Sequence, residues 1–149
     1  MANVFQIKTY DELTKDELYE ILRTRAEIFV VEQNCVYQDL DGTDRISLHV
    51  FSEAKNGRIT SYARLFPKKE EPGVIQMGRV LTLNHGTGLG GELLQKTIEA
   101  CETHFGNCEI YIEAQVYAIG FYEKAGFVVV SDEFLEDGIP HVQMRRPNK

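Results

Sequence analysis

Four of the seven residues 85–91 are glycine, in the order His85-Gly86-Thr87-Gly88-Leu89-Gly90-Gly91. The run before them, residues 74–83, reads as a strand. The run after them carries Leu93, Leu94, Thr97, Ile98, Cys101 and Phe105 as one apolar stripe at helical spacing. Glu92, Lys96, Glu99 and Glu102 face out, and Gly106-Asn107 ends the helix. A strand, a glycine-rich turn and a helix start make an anion site. The first N–H groups of a helix lack internal partners, and the helix dipole adds partial positive charge there.

Around the junction the chain reads as mixed α and β. Residues 3–9 alternate as a strand. Thr14 followed by Glu17 is a capping-box pattern that opens a helix. Leu18, Ile21, Leu22, Ala26 and Phe29 continue it, and Val30-Val31 with Asn34 bring it to an end near Glu32. Arg25 falls on the same apolar stripe, either as a guanidinium snorkelling off the core edge or as part of a site. Residues 35–46 read as a loop. Asp39, Asp41 and Gly42 do not meet EF-hand spacing, and no metal is expected. Strand patterns follow around Leu48-Phe51, Ile59-Leu65 and residues 74–83, with a hairpin signal at Asn56-Gly57. The middle of the chain is therefore an antiparallel meander. Beyond the long helix come a buried strand over 109–114, a short helix over 117–125 closed by Gly126, and a strand over 127–130. An acidic loop and a last strand around His141 to Met144 complete the chain.

The 149 residues suit one domain, 1–149. There are 16 Lys plus Arg against 23 Asp plus Glu, a formal net charge of -7. That balance argues against nucleic acid as a partner, because phosphate neutralisation needs a basic face. A cationic substrate suits the average field. Cys35, Cys101 and Cys108 are odd in number with no CxxC, which fits reduced thiols in a cytoplasmic protein. No apolar run approaches the ~18 residues of a membrane span, and the first residues lack a signal pattern. A cytoplasmic protein with no membrane partner is expected.

The glycine turn admits three anions. Gly86-x-Gly88-x-x-Gly91 matches the dinucleotide fingerprint literally, but the antiparallel strands before it and the short chain after it do not suit a doubly wound sheet. A P-loop fails because Gly91 is followed by Glu92. The third reading is the diphosphate of coenzyme A, held by Gln/Arg-x-x-Gly-x-Gly/Ala, with His85, Gly88 and Gly90 at the matching places.

On three stretches the sequence resembles the GCN5-related N-acetyltransferase (GNAT) family. They are Gly78-Arg79-Val80-Leu81, the glycine turn with its helix, and Ala118-x-x-Phe121-Tyr122-Glu123-Lys124-Ala125-Gly126-Phe127. Phe29-Val30-Val31-Glu32-Gln33, residues 37–44 and Glu136-Asp137-Gly138-Ile139-Pro140-His141 are similar to its ElaA/YjcF-like branch. The resemblance implies an α+β GNAT fold. Its central sheet is twisted, mixed and mostly antiparallel, with six to seven strands flanked by about four helices. It also implies acetyl-CoA as cofactor and a small-molecule amine or an exposed protein amino group as acceptor, and leaves room for a homodimer. Two departures stand out: His85 replaces the leading Arg or Gln, and the Leu83-Asn84 link is about two residues short of the family pattern.

The same resemblance implies roles. Val80, Leu81 and Thr82 would pair with pantetheine through their backbone, and an N–H near Leu81 would polarise the acyl oxygen. His85, Gly86, Thr87, Gly88, Leu89, Gly90 and Gly91 would hold the diphosphate. Gln115, Ala118, Phe121, Tyr122 and Lys124 would complete the cofactor side, with Lys124 either on a phosphate or simply solvated. Tyr122 matches the family's general acid, since a phenol stays protonated at neutral pH. Many relatives place a Glu base near Gly78, where this chain has none. Glu32, Glu113, His141 or an ordered water remain as bases, and of these an imidazole suits amine deprotonation best. Arg25, Glu32, Glu113 and His141 are the acceptor-side residues. Without the usual Glu, a non-catalytic acyl-CoA-binding module stays open as an alternative.

Overall fold

The computed structural model of the chain describes residues 4–83 and 86–147. The expected contact at His85 lies outside the described residues. Eight strands form one sheet in the order β1-β2-β3-β4-β5-β8-β6, with β7 paired to β8. β1 (Phe5–Thr9), β2 (Leu48–Glu53), β3 (Ile59–Pro67) and β4 (Val74–Thr82) form the antiparallel meander that the alternation and Asn56-Gly57 predict. β5 (Glu109–Gln115) runs parallel to β4 after the crossover helix α2 (Leu89–Phe105). The fingerprint-like glycines thus belong to one parallel crossover in a mostly antiparallel sheet, not to a doubly wound one.

α1 (Lys15–Arg25) begins at Thr14, whose hydroxyl accepts from the Glu17 N–H at 3.0 Å while Glu17 returns a bond to the Thr14 N–H. It continues as a π-helical stretch, Ala26–Glu32, so the predicted end near Glu32 holds while the α form stops earlier. A 3-10 turn, Val116–Ala118, leads into the short α3 (Ile119–Glu123). Among the described residues there are three α-helices rather than about four. The sheet also gains a strand. β6 (Val128–Val129), β7 (Phe134–Glu136) and β8 (Ile139–Arg146) end the chain, and β7 forms inside the acidic loop. Asp137 and Gly138 both have positive φ, +51° and +78°, which lets the chain turn back tightly enough to pair Glu136 with Ile139.

Period-2 alternation puts helices on both faces. Val50, Ala63, Met77 and Ile112 point to the face covered by α2, beside Leu93, Leu94 and Ile98. Phe51, Tyr62 and Leu81 point to the other, beside Ile21 of α1. Among the described residues no helix is long and apolar enough to cross a membrane.

Candidate active site

The two parallel strands do not stay together. β4 and β5 are paired only at Val74–Glu109, Ile75–Ile110 and Gln76–Tyr111, although both run further. β5 pairs along its other edge with β8 from Ile110 to Gln115. β4 carries a bulge: Gly78 pairs with Arg64 and Leu81 with Tyr62, so Arg79 and Val80 together face Ala63. The result is a cleft of about 330 Å³ between the strands. Backbone groups of β4 from Met77 onward have no β5 partner there, which suits an amide-bearing chain such as pantetheine.

Arg79 sits in the bulge with φ +52°, a left-handed conformation costly for a non-glycine residue. It is held from outside the strand. Its Nε donates to Asp39 Oδ1 at 2.8 Å, one terminal nitrogen donates to the Asp39 carbonyl at 3.1 Å, and the guanidinium lies over Tyr37 at 5.4 Å. Asp39 also anchors inward. Its other carboxylate oxygen accepts from Arg25 Nε at 3.1 Å. Arg25 donates to Asp44 Oδ1 at 2.5 Å, Arg64 donates to the same oxygen at 3.0 Å, and Arg64 also reaches Asp41 at 2.7 Å. Three guanidinium groups thus meet three carboxylates. Burial alone would raise the Asp41 and Asp44 carboxyls, but Arg64 on Asp41 and Arg25 on Asp44 outweigh it and hold both below the usual range. Burial also lowers His49, whose ring nitrogens contact the Tyr62 hydroxyl and the Asp44 carbonyl, so the charges stay balanced.

Tyr122 and His141 stand on the cleft wall. Tyr122 is 8% exposed and packs edge-on to Phe121 and Phe127. Its hydroxyl has no hydrogen-bond partner among the described residues, and burial pushes the phenol above its ordinary value. His141 is buried, with Nδ1 at 2.7 Å from the Ile139 carbonyl. That bond assigns the proton to Nδ1 and leaves Nε2 as the basic nitrogen, 3.5 Å from Glu136 Oε2. Glu113 also lines the cleft and accepts from the Tyr111 hydroxyl at 2.8 Å.

The remaining predicted residues divide. Val80, Gln115 and Ala118 line the cleft. The Leu81 side chain is buried on the opposite face with Ile21 and Phe51, so only its backbone is available to a ligand. Gly86 and Gly88 have φ +80° and +81°, with Gly88 capping α2; the Leu89, Gly90 and Gly91 N–H groups open the helix. Thr87 is exposed and Leu89, the first residue of α2, is buried. Phe121 lies 3.7 Å from where a Gly90 Cβ would stand, with the Thr82 methyl at 3.9 Å, so the start of α2 packs against α3 and the end of β4; Thr82 and Phe121 do not themselves line the cleft. Lys124 and Glu32 are exposed and do not line the cleft. Arg25 is fully buried in the ion cluster, away from the cleft lining.

Sequence reasoning passed over Asp39, Asp44, Arg64 and Arg79 as partners, and Glu136 as a neighbour of His141. A signal was present: three carboxylates within residues 39–44, in a chain whose Arg25 lies on an apolar stripe, call for a buried ion cluster.

Comparison with known proteins agrees with this geometry. A family profile described as "Acetyltransferase (GNAT) domain" matches residues 11–147. The Escherichia coli protein ElaA is 37% identical over 141 residues, 92% of each chain, and the crystal structure of Escherichia coli ElaA superposes with a TM-score of 0.91 over 98% of this chain and 100% of that one. A crystal structure of an acyl-CoA N-acyltransferase from Pseudomonas aeruginosa is 36% identical, with a TM-score of 0.89 over 97% of this chain and 99% of that one. The N-acetyltransferase YjcF of Bacillus subtilis, described as uncharacterized, is 32% identical over 138 residues, 91% of this chain and 94% of its own. With a splayed β4–β5 pair, a glycine-capped crossover helix and these relatives over nearly its whole length, the chain belongs to the GNAT acyltransferase family.

Proposed function

We propose that the chain transfers an acetyl group from acetyl-CoA to an amine by direct attack on the thioester, with Tyr122 as general acid. The observation that carries this reading is Tyr122: a residue only 8% exposed, on the wall of the cleft between the splayed strands, whose hydroxyl has no hydrogen-bond partner among the described residues. The α2 N-terminus with Gly86 and Gly88 offers backbone N–H groups to the diphosphate. The unpaired edge of β4 offers backbone groups to the pantetheine amides.

His141 Nε2 takes the proton of the attacking amine, and Glu136 stabilises the imidazolium that forms. The amine nitrogen bonds to the carbonyl carbon, and the bulged backbone of β4 donates to the oxygen as charge builds on it. The carbon–sulfur bond then breaks, and the Tyr122 hydroxyl gives its proton to the departing thiolate. The raised phenol keeps that proton available across the neutral range. Amide and free coenzyme A are the products. Proton balance is restored when His141 returns its proton to solvent and Tyr122 recovers one.

The test is thiol release from acetyl-CoA across a broad amine panel, with wild type and Tyr122→Phe. Loss of a general acid lowers kcat by about 10²–10⁴-fold while acetyl-CoA binding persists. Full activity in the Phe variant refutes the role. Tight acetyl-CoA binding with no release on any amine favours a non-catalytic binder.

A further inference from the structure

Two thiols that the cleft does not use lie in direct contact. Cys101 is near the end of α2, Cys108 stands just before β5, and their Sγ atoms are 3.2 Å apart. Cys101 is fully buried in the core beneath α2, whereas Cys108 is partly exposed. The backbone on both sides holds them in place. Gly106, at φ +82°, ends α2 and donates its N–H to the Glu102 carbonyl at 3.0 Å. The Glu109 N–H donates to the Gly73 carbonyl at 3.3 Å, which fixes the chain directly after Cys108. A disulfide has an S–S length of about 2.05 Å, so about 1 Å of further approach closes the pair. Burial and then the Cys108 contact push the Cys101 thiol up. The partly exposed Cys108 is therefore the sulfur that an oxidant meets first.

We infer that Cys101 and Cys108 form a reversible redox pair, which a peroxide closes into a disulfide tying the end of α2 to the start of β5. The Cys108 thiolate attacks one oxygen of hydrogen peroxide, the O–O bond breaks, hydroxide leaves, and Cys108 becomes a sulfenic acid. The Cys101 thiolate then attacks the Cys108 sulfur. The S–S bond forms, the S–O bond breaks, and a second hydroxide leaves. The two hydroxides take up the two protons that the thiols gave up. Two thiols and one peroxide thus give one disulfide and two waters. β4 and β5 pair from Val74–Glu109 to Gln76–Tyr111, immediately after Cys108, so the link braces the crossover where it joins the sheet. Neither cysteine lines the cleft, so the bond forms whatever the cleft catalyses.

The experiment treats the full chain with hydrogen peroxide, alkylates the remaining thiols and reads the products by mass spectrometry. Alkylatable thiols are expected to fall from three to one, and dithiothreitol to restore them. A protease that cuts after glutamate cleaves at Glu102, between the two cysteines, and the fragments bearing Cys101 and Cys108 stay joined until reduced. The link closes a loop of about eight residues in the unfolded chain, so Tm of the oxidised form rises by about 5–10 °C and returns on reduction. Cys108→Ser abolishes the cross-link and the Tm shift, and Cys35→Ser keeps both. Cys101→Ala also abolishes them and leaves the peroxide to add oxygen to Cys108. Three alkylatable thiols after peroxide, oxygen added to wild-type Cys108 without a cross-link, or a link through Cys35 overturns the pair. A cross-linked form whose Tm is unchanged or lower overturns the bracing role.

Discussion

Replacing Arg25 with Met distinguishes a structural from an acceptor-side role for that guanidinium. The side chain is fully buried and makes three polar contacts: Nε to Asp39 Oδ2 at 3.1 Å, one terminal nitrogen to Asp44 Oδ1 at 2.5 Å, and the other to the Asp39 carbonyl at 3.2 Å. Methionine keeps most of the apolar stem and deletes the charge. Removing one partner of a buried ion pair typically costs about 3–5 kcal/mol, because the other charge stays buried. Here Asp39 retains Arg79 and Asp44 retains Arg64, which places the expected cost near the lower end, about 3 kcal/mol. For a domain of this size each kcal/mol moves Tm by about 2–4 °C, so Tm falls by about 6–12 °C. Urea denaturation with an unchanged m-value is the companion measurement. A loss below about 1 kcal/mol would refute the view that Arg25 holds the cluster together. An acceptor contact would instead raise KM and leave Tm in place.

Arg79→Gly and Arg79→Ala separate backbone from side chain at the bulge. Glycine accepts φ +52° freely, whereas alanine there meets about 1–2 kcal/mol of strain without the anchor to Asp39. The expected outcome is kcat within a few-fold of wild type for Gly and at least about tenfold lower for Ala, a difference of about 1.4 kcal/mol; an equal loss in both would show that the guanidinium itself is required. Gly88→Ala meets open space at its Cβ, so its cost is conformational, about 1–2 kcal/mol at φ +81°, read as lower Tm and weaker acetyl-CoA binding by calorimetry. Unchanged binding would remove the turn from the diphosphate site. Asp41 and Asp44 have folded pKa values below their unfolded ones, so their stabilisation is complete above the ordinary carboxylate range and is lost as pH falls through and below it. Tm measured from neutral to acid pH should therefore fall less steeply in Asp41→Asn than in wild type, and identical slopes would contradict the assignment.

Much of the architecture was legible because short-range rules govern it. Thr14 and Glu17 announce a helix start through bonds three residues apart, Asn56-Gly57 announces a hairpin, and the stripe from Leu93 to Phe105 announces α2. β7 was hidden because Glu133, Glu136 and Asp137 give an acidic, solvated composition to a segment whose pairing depends on the Asp137-Gly138 turn and on β8. The end of the continuous helical segment near Glu32 was legible, but the shift from α1 to a π-helical stretch after Arg25 has no local signature.

The sequence alone determined a mixed fold around one glycine-rich strand–helix junction, together with the helix that carries Tyr122, since glycine content and periodicity act along the chain. Tertiary structure alone decided the rest. It drew Arg25, Arg64 and Arg79 from three distant segments onto Asp39, Asp41 and Asp44, and turned a stripe position suspected of binding substrate into the centre of a buried ion cluster. It also set Glu136 beside His141. Charge pairing acts through space over a few ångströms, so these partnerships became visible only once the sheet had set the distances.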